Sequence, residues 1–415
     1  MIGYKQAIPR GERYGMLIPI GTNIGLKKIP YATIGLLLVN WLVYAFTAGM
    51  YYKTEFLIWR YFYLYPGEAH PWQLVTSMFF HGSFWHLFGN SLFLWVFGIF
   101  VEDKVGWKQY LFLYFLTGIA AGLIHSSMIG LFLRDKLTVP ALGASGAISG
   151  IMGVYLYRCY YSKIKLLLFF VIPIQLPAVV VLGFWFLRDF LGGIAAIKGI
   201  HQNVAFWAHV GGFLTGLATS KYLKYEGEAR REKLEHTVRT QLGRQDGYAQ
   251  GMMAAEQLLQ TDTNNPQLHL KMAQAKSRMG GSKQGKEHYE QAIKFMLDTD
   301  RENVVAVFVE YWKKYLTVIE PQHQLRVSRL LASSGNTSLA RATLEALING
   351  NYPPDRSMEA AYLDLAKLYE QQLQQYDLAR AVYQQYMKKF PQTEHKAFVE
   401  NKLRLMQGGA RRNVL

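Results

Sequence analysis

Cysteine is nearly absent from this chain of 415 residues, because Cys159 is its only one. A single cysteine excludes an intramolecular disulfide, so the fold needs no oxidising compartment. Acidic residues are also scarce: 29 Asp and Glu stand against 45 Lys and Arg, a formal net charge of +16. The excess is uneven, since residues 1–224 contain 18 basic and 7 acidic residues, whereas residues 225–415 contain 27 and 22. It therefore lies mainly among the apolar segments, where it reports membrane orientation rather than nucleic-acid binding.

Long apolar runs fill the first half of the chain. A helix needs roughly 20 apolar residues to span a bilayer. Six runs are predicted to be membrane helices, near residues 30–50, 78–100, 107–126, 141–158, 165–187 and 203–223. The first run is too long for the apolar core of a signal peptide and lacks a convincing cleavage site, so we interpret it as a retained helix. The residues before it form a polar tail.

Six spans place both termini on the same side of the membrane. Twelve Lys and Arg lie on that side, against six on the other. Because cytoplasmic loops carry the excess of basic residues, both termini are predicted to lie in the cytoplasm. We expect a multi-pass protein of a bacterial inner or plasma membrane. The first outer loop, near residues 51–77, is rich in aromatic residues and is predicted to lie in the lipid interface.

From residue 224 onward, apolar residues recur every three to four positions between charged ones, as in amphipathic soluble helices. The segments Ala361–Tyr369 and Tyr376–Tyr383, followed by Pro391, resemble a tetratricopeptide repeat. Weaker copies of the pattern contain Ala340, Leu344 and Pro353, and Ala273, Gly285, Tyr289 and Ala292. Such repeats stack so that neighbours bury each other's apolar faces. An unrelated helical bundle is the alternative.

The sequence thus predicts an all-α protein in three parts. Residues 1–29 form a cytoplasmic tail, and residues 30–223 form a bundle of six membrane helices. Residues 224–415 form a cytoplasmic helical-repeat domain that recruits a soluble protein partner or the tail of a substrate.

Polar side chains inside membrane spans cost energy and usually have a function. Three sets stand out, namely His81, His86 and Asn90 at the second span, Ser145 between Gly143 and Gly146 in the fourth, and His209 in the sixth. These spans all start on the outer side. At about 1.5 Å per residue, the depths of His86, Ser145 and His209 agree within about one turn. Independent packing residues need no common depth, whereas a serine hydrolase site requires one.

Elementary chemistry assigns a role to each group. A serine hydroxyl needs an adjacent base to take its proton, and His209 is the base within the membrane for Ser145. His86, Asn90 and the backbone N–H of Ser145 are expected to stabilise the oxyanion of a tetrahedral intermediate. We expect a Ser–His dyad, because no acidic residue within the predicted spans is placed to complete a triad. Deacylation then needs water, which implies a wet cavity open to the outer side.

Two other interpretations apply to the same residues. Gly146, Gly150 and Gly153 fit the small-residue pattern by which membrane helices pack closely. A metal site built from the three histidines would lack a carboxylate or thiolate partner. We therefore predict neither a metal nor another cofactor.

Three motifs in the chain resemble those of the rhomboid intramembrane serine proteases. They are Gly143-Ala144-Ser145-Gly146, the run from His81 through His86 to Asn90, and Ala208-His209-Val210-Gly211-Gly212. The order of the six spans is similar as well, and Trp59-Arg60 resembles a family element in the first loop. The resemblance covers about residues 30–223. It implies that Ser145 is the nucleophile and His209 the general base, that His86 and Asn90 stabilise the oxyanion, and that His81 is a supporting residue.

The resemblance also implies a substrate class. Substrates would be transmembrane proteins cut at or near the outer membrane face, and the fifth span, with Phe184, Trp185 and Phe186, would act as a lateral gate. Some family members have an aromatic residue stacked on the catalytic histidine where this chain has Ser149, so His209 needs another positioning group. The alternative function is a catalytically silent rhomboid-like protein that binds membrane clients and recruits partners through its repeats.

Overall fold

The computed structural model describes residues 17–48, 61–168, 171–200, 204–280 and 282–409. These residues are mostly helical and divide into two compact units, of which the first ends at Lys233 and the second begins at Leu234. This division falls later than the predicted boundary between residues 223 and 224. The predicted element Trp59-Arg60, together with most of the polar N-terminal tail, lies outside the described residues.

Six helices of the first unit follow the order of the predicted spans. They are α1 (Tyr31–Ala48), α2 (Phe84–Val105), α3 (Trp107–Phe132), α4 (Ser145–Arg158), α5 (Ala178–Ile197) and α6 (Phe206–Tyr222). Among the described residues, α1, α2, α3 and α5 are long and apolar enough to cross a membrane. The shorter α4 has 14 residues, ten of them buried. A helix enclosed by its neighbours need not present a full span to lipid.

The predicted fifth span is wrong in its first half. Residues Lys163–Leu168 (β2) and Ile172–Pro177 (β3) form an antiparallel hairpin, and β1 (Leu17–Thr22) pairs with β2 to complete a sheet in the order β1-β2-β3. The helix α5 begins only at Ala178. This small sheet is an exception to the predicted all-α class.

The side chains of β2 explain both the sheet and the wrong prediction. Ile164 and Leu166 are fully buried while Lys163 and Lys165 are exposed, which is the alternation of a half-buried strand. Pro177 ends the hairpin, because proline has no N–H for a strand ladder and is tolerated next to a helix start. The hairpin and α5 are both apolar, so hydropathy alone does not reveal where the hairpin ends and the helix begins.

The helices of the second unit are short and amphipathic. After α7 (Glu226–Gln241), which contains the division between the units, they are α8 (Tyr248–Thr261), α9 (Pro266–Arg278), α10 (Ser282–Thr299), α11 (Arg301–Tyr315), α12 (Pro321–Ser333), α13 (Thr337–Asn349), α14 (Arg356–Lys367), α15 (Tyr376–Lys389) and α16 (Lys396–Gly409). Ala273, Tyr289, Ala340 and Leu344, which belong to the predicted repeat pattern, are all buried in it. Small and aromatic residues at these positions fill the space between stacked helices.

Candidate active site

The hydroxyl of Ser145 and the imidazole of His209 meet at the N-terminal ends of two adjacent helices. Ser145 is the first residue of α4, and His209 lies in the first turn of α6. Ser145 Oγ lies 2.8 Å from Nε2 of His209, which is hydrogen-bond distance. The structure therefore brings together the two residues that the sequence proposed as nucleophile and base.

Glycines hold these two helices in backbone contact. A Cβ added to Gly212 would overlap the carbonyl oxygen of Gly146, and one added to Gly216 would overlap that of Gly150. On the other side of α4, a Cβ on Gly150 would overlap Thr117 of α3. The predicted close packing at Gly146 and Gly150 is confirmed. It is compatible with a catalytic role for Ser145, because the same close packing brings Ser145 and His209 together.

His86 and Asn90 of α2 both face the turn that leads into α4. A Cβ added to Gly143 would lie 2.7 Å from Cε1 of His86 and 3.5 Å from Nδ2 of Asn90. Gly143 has a φ of +115°, which L side chains rarely adopt, so glycine is required there for both conformation and space. Nδ2 of Asn90 is buried without a hydrogen-bond partner among the described residues. The amide of Asn90 is thus available as a hydrogen-bond donor beside Gly143, which precedes Ser145 by two residues.

His81 lies beside this group. Its side chain is buried, and its ring contacts the ring of His86 edge-on with the centroids 5.2 Å apart. Over the described part of the chain, no group of three or more His, Cys, Asp or Glu is arranged to hold a metal ion.

A cavity of about 40 Å³ borders Ser145 and has room for water. Its walls are mostly apolar, and they include Gly143, Gly146, Ala208 and the imidazole of His125 on α3. His125 is buried, and its Nδ1 has no hydrogen-bond partner among the described residues. A polar atom without a protein partner in such a place is suited to hold a water molecule.

An acidic residue that the sequence reasoning missed completes the group. Oδ2 of Asp189, on α5, lies 3.0 Å from Nδ1 of His209. The prediction that no acidic residue within the spans is placed to form a triad is therefore wrong. The signal was present, because a charged residue inside an apolar helix is a candidate for function. The predicted fifth span ended at residue 187 and so left Asp189 in the outer loop.

Comparison with known proteins finds matches for both units. The model of the rhomboid domain matches residues 68–226, and a tetratricopeptide repeat model matches residues 360–393. Those repeat residues correspond to the helix pair α14 and α15.

Three relatives are similar in sequence to part of the chain. Rhomboid protein 1, mitochondrial, of Saccharomyces cerevisiae is 31% identical over 163 residues, which cover 39% of this chain and 44% of that protein. RHOMBOID-like protein 6, mitochondrial, of Arabidopsis thaliana is 27% identical over 172 residues, which cover 40% and 48%. RHOMBOID-like protein 2 of the same plant is 29% identical over 184 residues, which cover 41% and 50%. The chain thus spans half or less of the length of each of these relatives.

Proposed function

Because this chain is a membrane protein of the rhomboid family with a tetratricopeptide repeat near its C-terminus, we propose that it is an intramembrane serine endopeptidase. The observation that carries the proposal is the 2.8 Å contact between Ser145 Oγ and His209 Nε2. A serine hydroxyl becomes a nucleophile when an adjacent base accepts its proton. A packing role alone would not require a serine and a histidine from separate helices to meet beside a cavity with room for water.

The reaction proceeds in two halves. His209 Nε2 takes the proton of Ser145 as Oγ attacks the scissile carbonyl carbon, and the same nitrogen then protonates the leaving amine. In the second half, His209 takes a proton from water as the water oxygen attacks the acyl carbon. The imidazolium then gives that proton to Ser145 Oγ as the acyl carbon–Oγ bond breaks, which releases the new carboxyl terminus and restores the serine hydroxyl. The cavity beside Ser145 supplies a place for that water.

The negative charge of each tetrahedral intermediate falls on the former carbonyl oxygen. His86, Asn90 and the Ser145 backbone N–H are the proposed donors to it. The convergence of His86 and Asn90 on Gly143 supports this assignment, as does the unpartnered Nδ2 of Asn90. Donors fixed in advance within a low-dielectric site stabilise such a charge more strongly than water does.

The depth of the site supports transmembrane proteins as substrates. With 14 residues, α4 is about 21 Å long, whereas the hydrocarbon core is about 30 Å thick. If Arg158 at its far end lies at the cytoplasmic face, Ser145 lies below the outer face. We propose that the protein resides in a bacterial inner or plasma membrane with both termini in the cytoplasm. The helical-repeat unit would there recruit a soluble partner or the tail of a substrate.

A fluorophosphonate probe tests the proposal on the purified full chain in liposomes. We expect mass spectrometry to find the label on Ser145, no label after Ser145→Ala and weak labelling after His209→Ala. Ser127→Ala is the matched control, because it removes an exposed hydroxyl that donates to the Leu123 carbonyl oxygen of its own helix α3, and it should label normally. In parallel, a model transmembrane substrate should be cut by the wild type and by Ser127→Ala. Absence of both labelling and cleavage in the wild type would favour the client-binding function instead.

A further inference from the structure

The imidazole of His209 is held from both sides. Its Nε2 lies 2.8 Å from Ser145 Oγ, and its Nδ1 lies 3.0 Å from Oδ2 of Asp189. These three side chains come from α4, α6 and α5 and form one hydrogen-bonded line. The carboxylate therefore occupies the side of the ring that points away from the serine.

Asp189 is itself held in place. Its Oδ1 accepts hydrogen bonds from Nη2 and Nε of Arg188, at 2.6 and 3.0 Å. The side chain of Asp189 is 13% exposed and that of Arg188 is 49% exposed, so the guanidinium reaches outward while the carboxylate faces His209. A carboxylate removed from water is tolerated when it is paired and hydrogen-bonded. Arg188 and His209 supply these partners and leave Oδ2 directed at the imidazole.

Helix packing explains why Asp189 reaches His209. A Cβ on Gly192 would lie 2.7 Å from the ring of Phe206, and one on Gly193 would lie 2.9 Å from the ring of Trp207. The rings at the start of α6 thus fill the space that α5 leaves without side chains. Residues three or four apart share a helix face. Asp189 therefore lies on the glycine face of α5, and His209 lies on the Phe206 face of α6.

We propose that Asp189 is the positioning residue of the catalytic histidine, so that the dyad of the proposed function becomes a Ser145–His209–Asp189 triad. This inference rests on the proposed protease activity. The carboxylate accepts the Nδ1 proton of His209 in a hydrogen bond, which leaves the lone pair of Nε2 directed at Ser145. During attack, the Ser145 proton moves to Nε2, and Asp189 remains ionised and stabilises the imidazolium. It supplies the positioning group that Ser149 does not.

Kinetics of the Asp189→Asn variant in the full chain test the proposal. The amide has nearly the same size but can donate to Nδ1, which leaves the histidine proton on Nε2, facing Ser145. We expect kcat and the rate of fluorophosphonate labelling to fall by about 100- to 10,000-fold, with KM nearly unchanged. Asp135→Asn is the matched control, because Asp135 is an exposed aspartate between α3 and α4, and it should keep wild-type rates. Wild-type kcat in Asp189→Asn would overturn the proposal.

The protonation site of the ring gives a second readout that does not depend on activity. In protein labelled with ¹⁵N-histidine, the ring ¹⁵N shifts of His209, identified by their loss in His209→Gln, distinguish Nδ1–H from Nε2–H. We expect Nδ1–H in the wild type and Nε2–H in Asp189→Asn. A wild-type ring protonated on Nε2 would overturn the role of Asp189 even if the variant does not fold. If the wild type neither labels nor cleaves, the protease proposal fails, whereas the ring signals still test the contact with Asp189.

Discussion

Thr33 and Glu102 are joined by two hydrogen bonds, because the backbone N–H and the hydroxyl of Thr33 each donate to Oε2 of Glu102 over 2.8 Å. The backbone N–H of Ala32 donates to the other carboxylate oxygen over 2.9 Å. A residue of α2 thus caps the first turn of α1, whose N–H groups have no partner within their own helix.

Glu102→Ala should therefore destabilise the first unit. Glu102 is buried, and its removal leaves the donors of α1 without their acceptor, which costs roughly 1–3 kcal/mol of the free energy of unfolding. Thermal unfolding of the full chain in detergent measures the loss. The exposed Asp135→Ala change should leave the melting temperature nearly unchanged. Equal melting temperatures for the two variants would contradict the capping role.

His86→Ala and Asn90→Ala should each reduce kcat by about 10- to 1000-fold, because each removes one of the proposed donors to the oxyanion. A donor that acts only on the oxyanion of the transition state lowers kcat and leaves KM nearly unchanged. Cleavage of a model transmembrane substrate in liposomes measures both constants. Unchanged cleavage by the double variant would rule out the oxyanion assignment.

Gly216→Ala should unfold the first unit or greatly lower its melting temperature. The added methyl group would overlap the backbone carbonyl of Gly150, and backbone cannot move aside as a flexible side chain does. Gly183→Ala is the matched control, because a Cβ there meets nothing within 4 Å. Alanine also has the higher helix propensity, so the control should be neutral or slightly more stable. A Gly216→Ala protein as stable as the control would show that α4 and α6 are not in backbone contact.

Two truncated chains should differ in stability although their C-terminal ends lie only nine residues apart. The side chain of Arg158 at the end of α4 is 3% exposed, and its Nη2 and Nη1 lie 2.6 Å from Glu228 and 3.0 Å from Glu232. A chain ending at Lys233 keeps both carboxylates and should retain cleavage of a model substrate. A chain ending at Lys224 loses both and should be less stable by roughly 1–3 kcal/mol, because the guanidinium is left without these partners.

The double change of Glu228 and Glu232 to Gln in the longer truncated chain controls for helix length. It should reproduce most of the loss if the charges are responsible. Melting temperatures in detergent compare the three proteins, and equal values would show that Arg158 needs neither carboxylate. Complete loss of cleavage by a folded chain ending at Lys233 would contradict the proposal that the helical-repeat unit only recruits a partner or a substrate tail.

The site was predictable from sequence where its residues belong to compact local motifs. His86 and Asn90 lie one turn apart, and Ser145 lies among glycines, so spacing alone suggests which side chains share a face. The common depth of these residues with His209 follows from the alternation of the spans. Such patterns depend on helix geometry and topology, which a sequence expresses directly.

The roles of Glu102 and Asp189 were not predicted from the sequence, and the reason is the same for both. Predicted spans ended at residues 100 and 187, just before Glu102 and Asp189, because a hydropathy window stops at charge. In the structure α2 continues to Val105 and α5 to Ile197. Each carboxylate is tolerated inside its helix because polar groups meet it: backbone and hydroxyl donors of α1 at Glu102, and Arg188 together with His209 of α6 at Asp189. Such compensation is a tertiary property, and the sequence near each residue does not contain it.

The groups around His209 are anchored in different ways. Glycine backbones fix α4 against α6, so the distance from Ser145 to His209 is set by contacts that allow little adjustment. The contact from Asp189 depends instead on α5, whose rings and glycines interlock with the start of α6. An outward shift of α5 by about 1 Å would take Asp189 out of hydrogen-bond range of His209 and leave the Ser145 contact intact. The position of α5, the helix that the family resemblance assigns to substrate access, would thereby control whether Asp189 holds the imidazole of His209 in place.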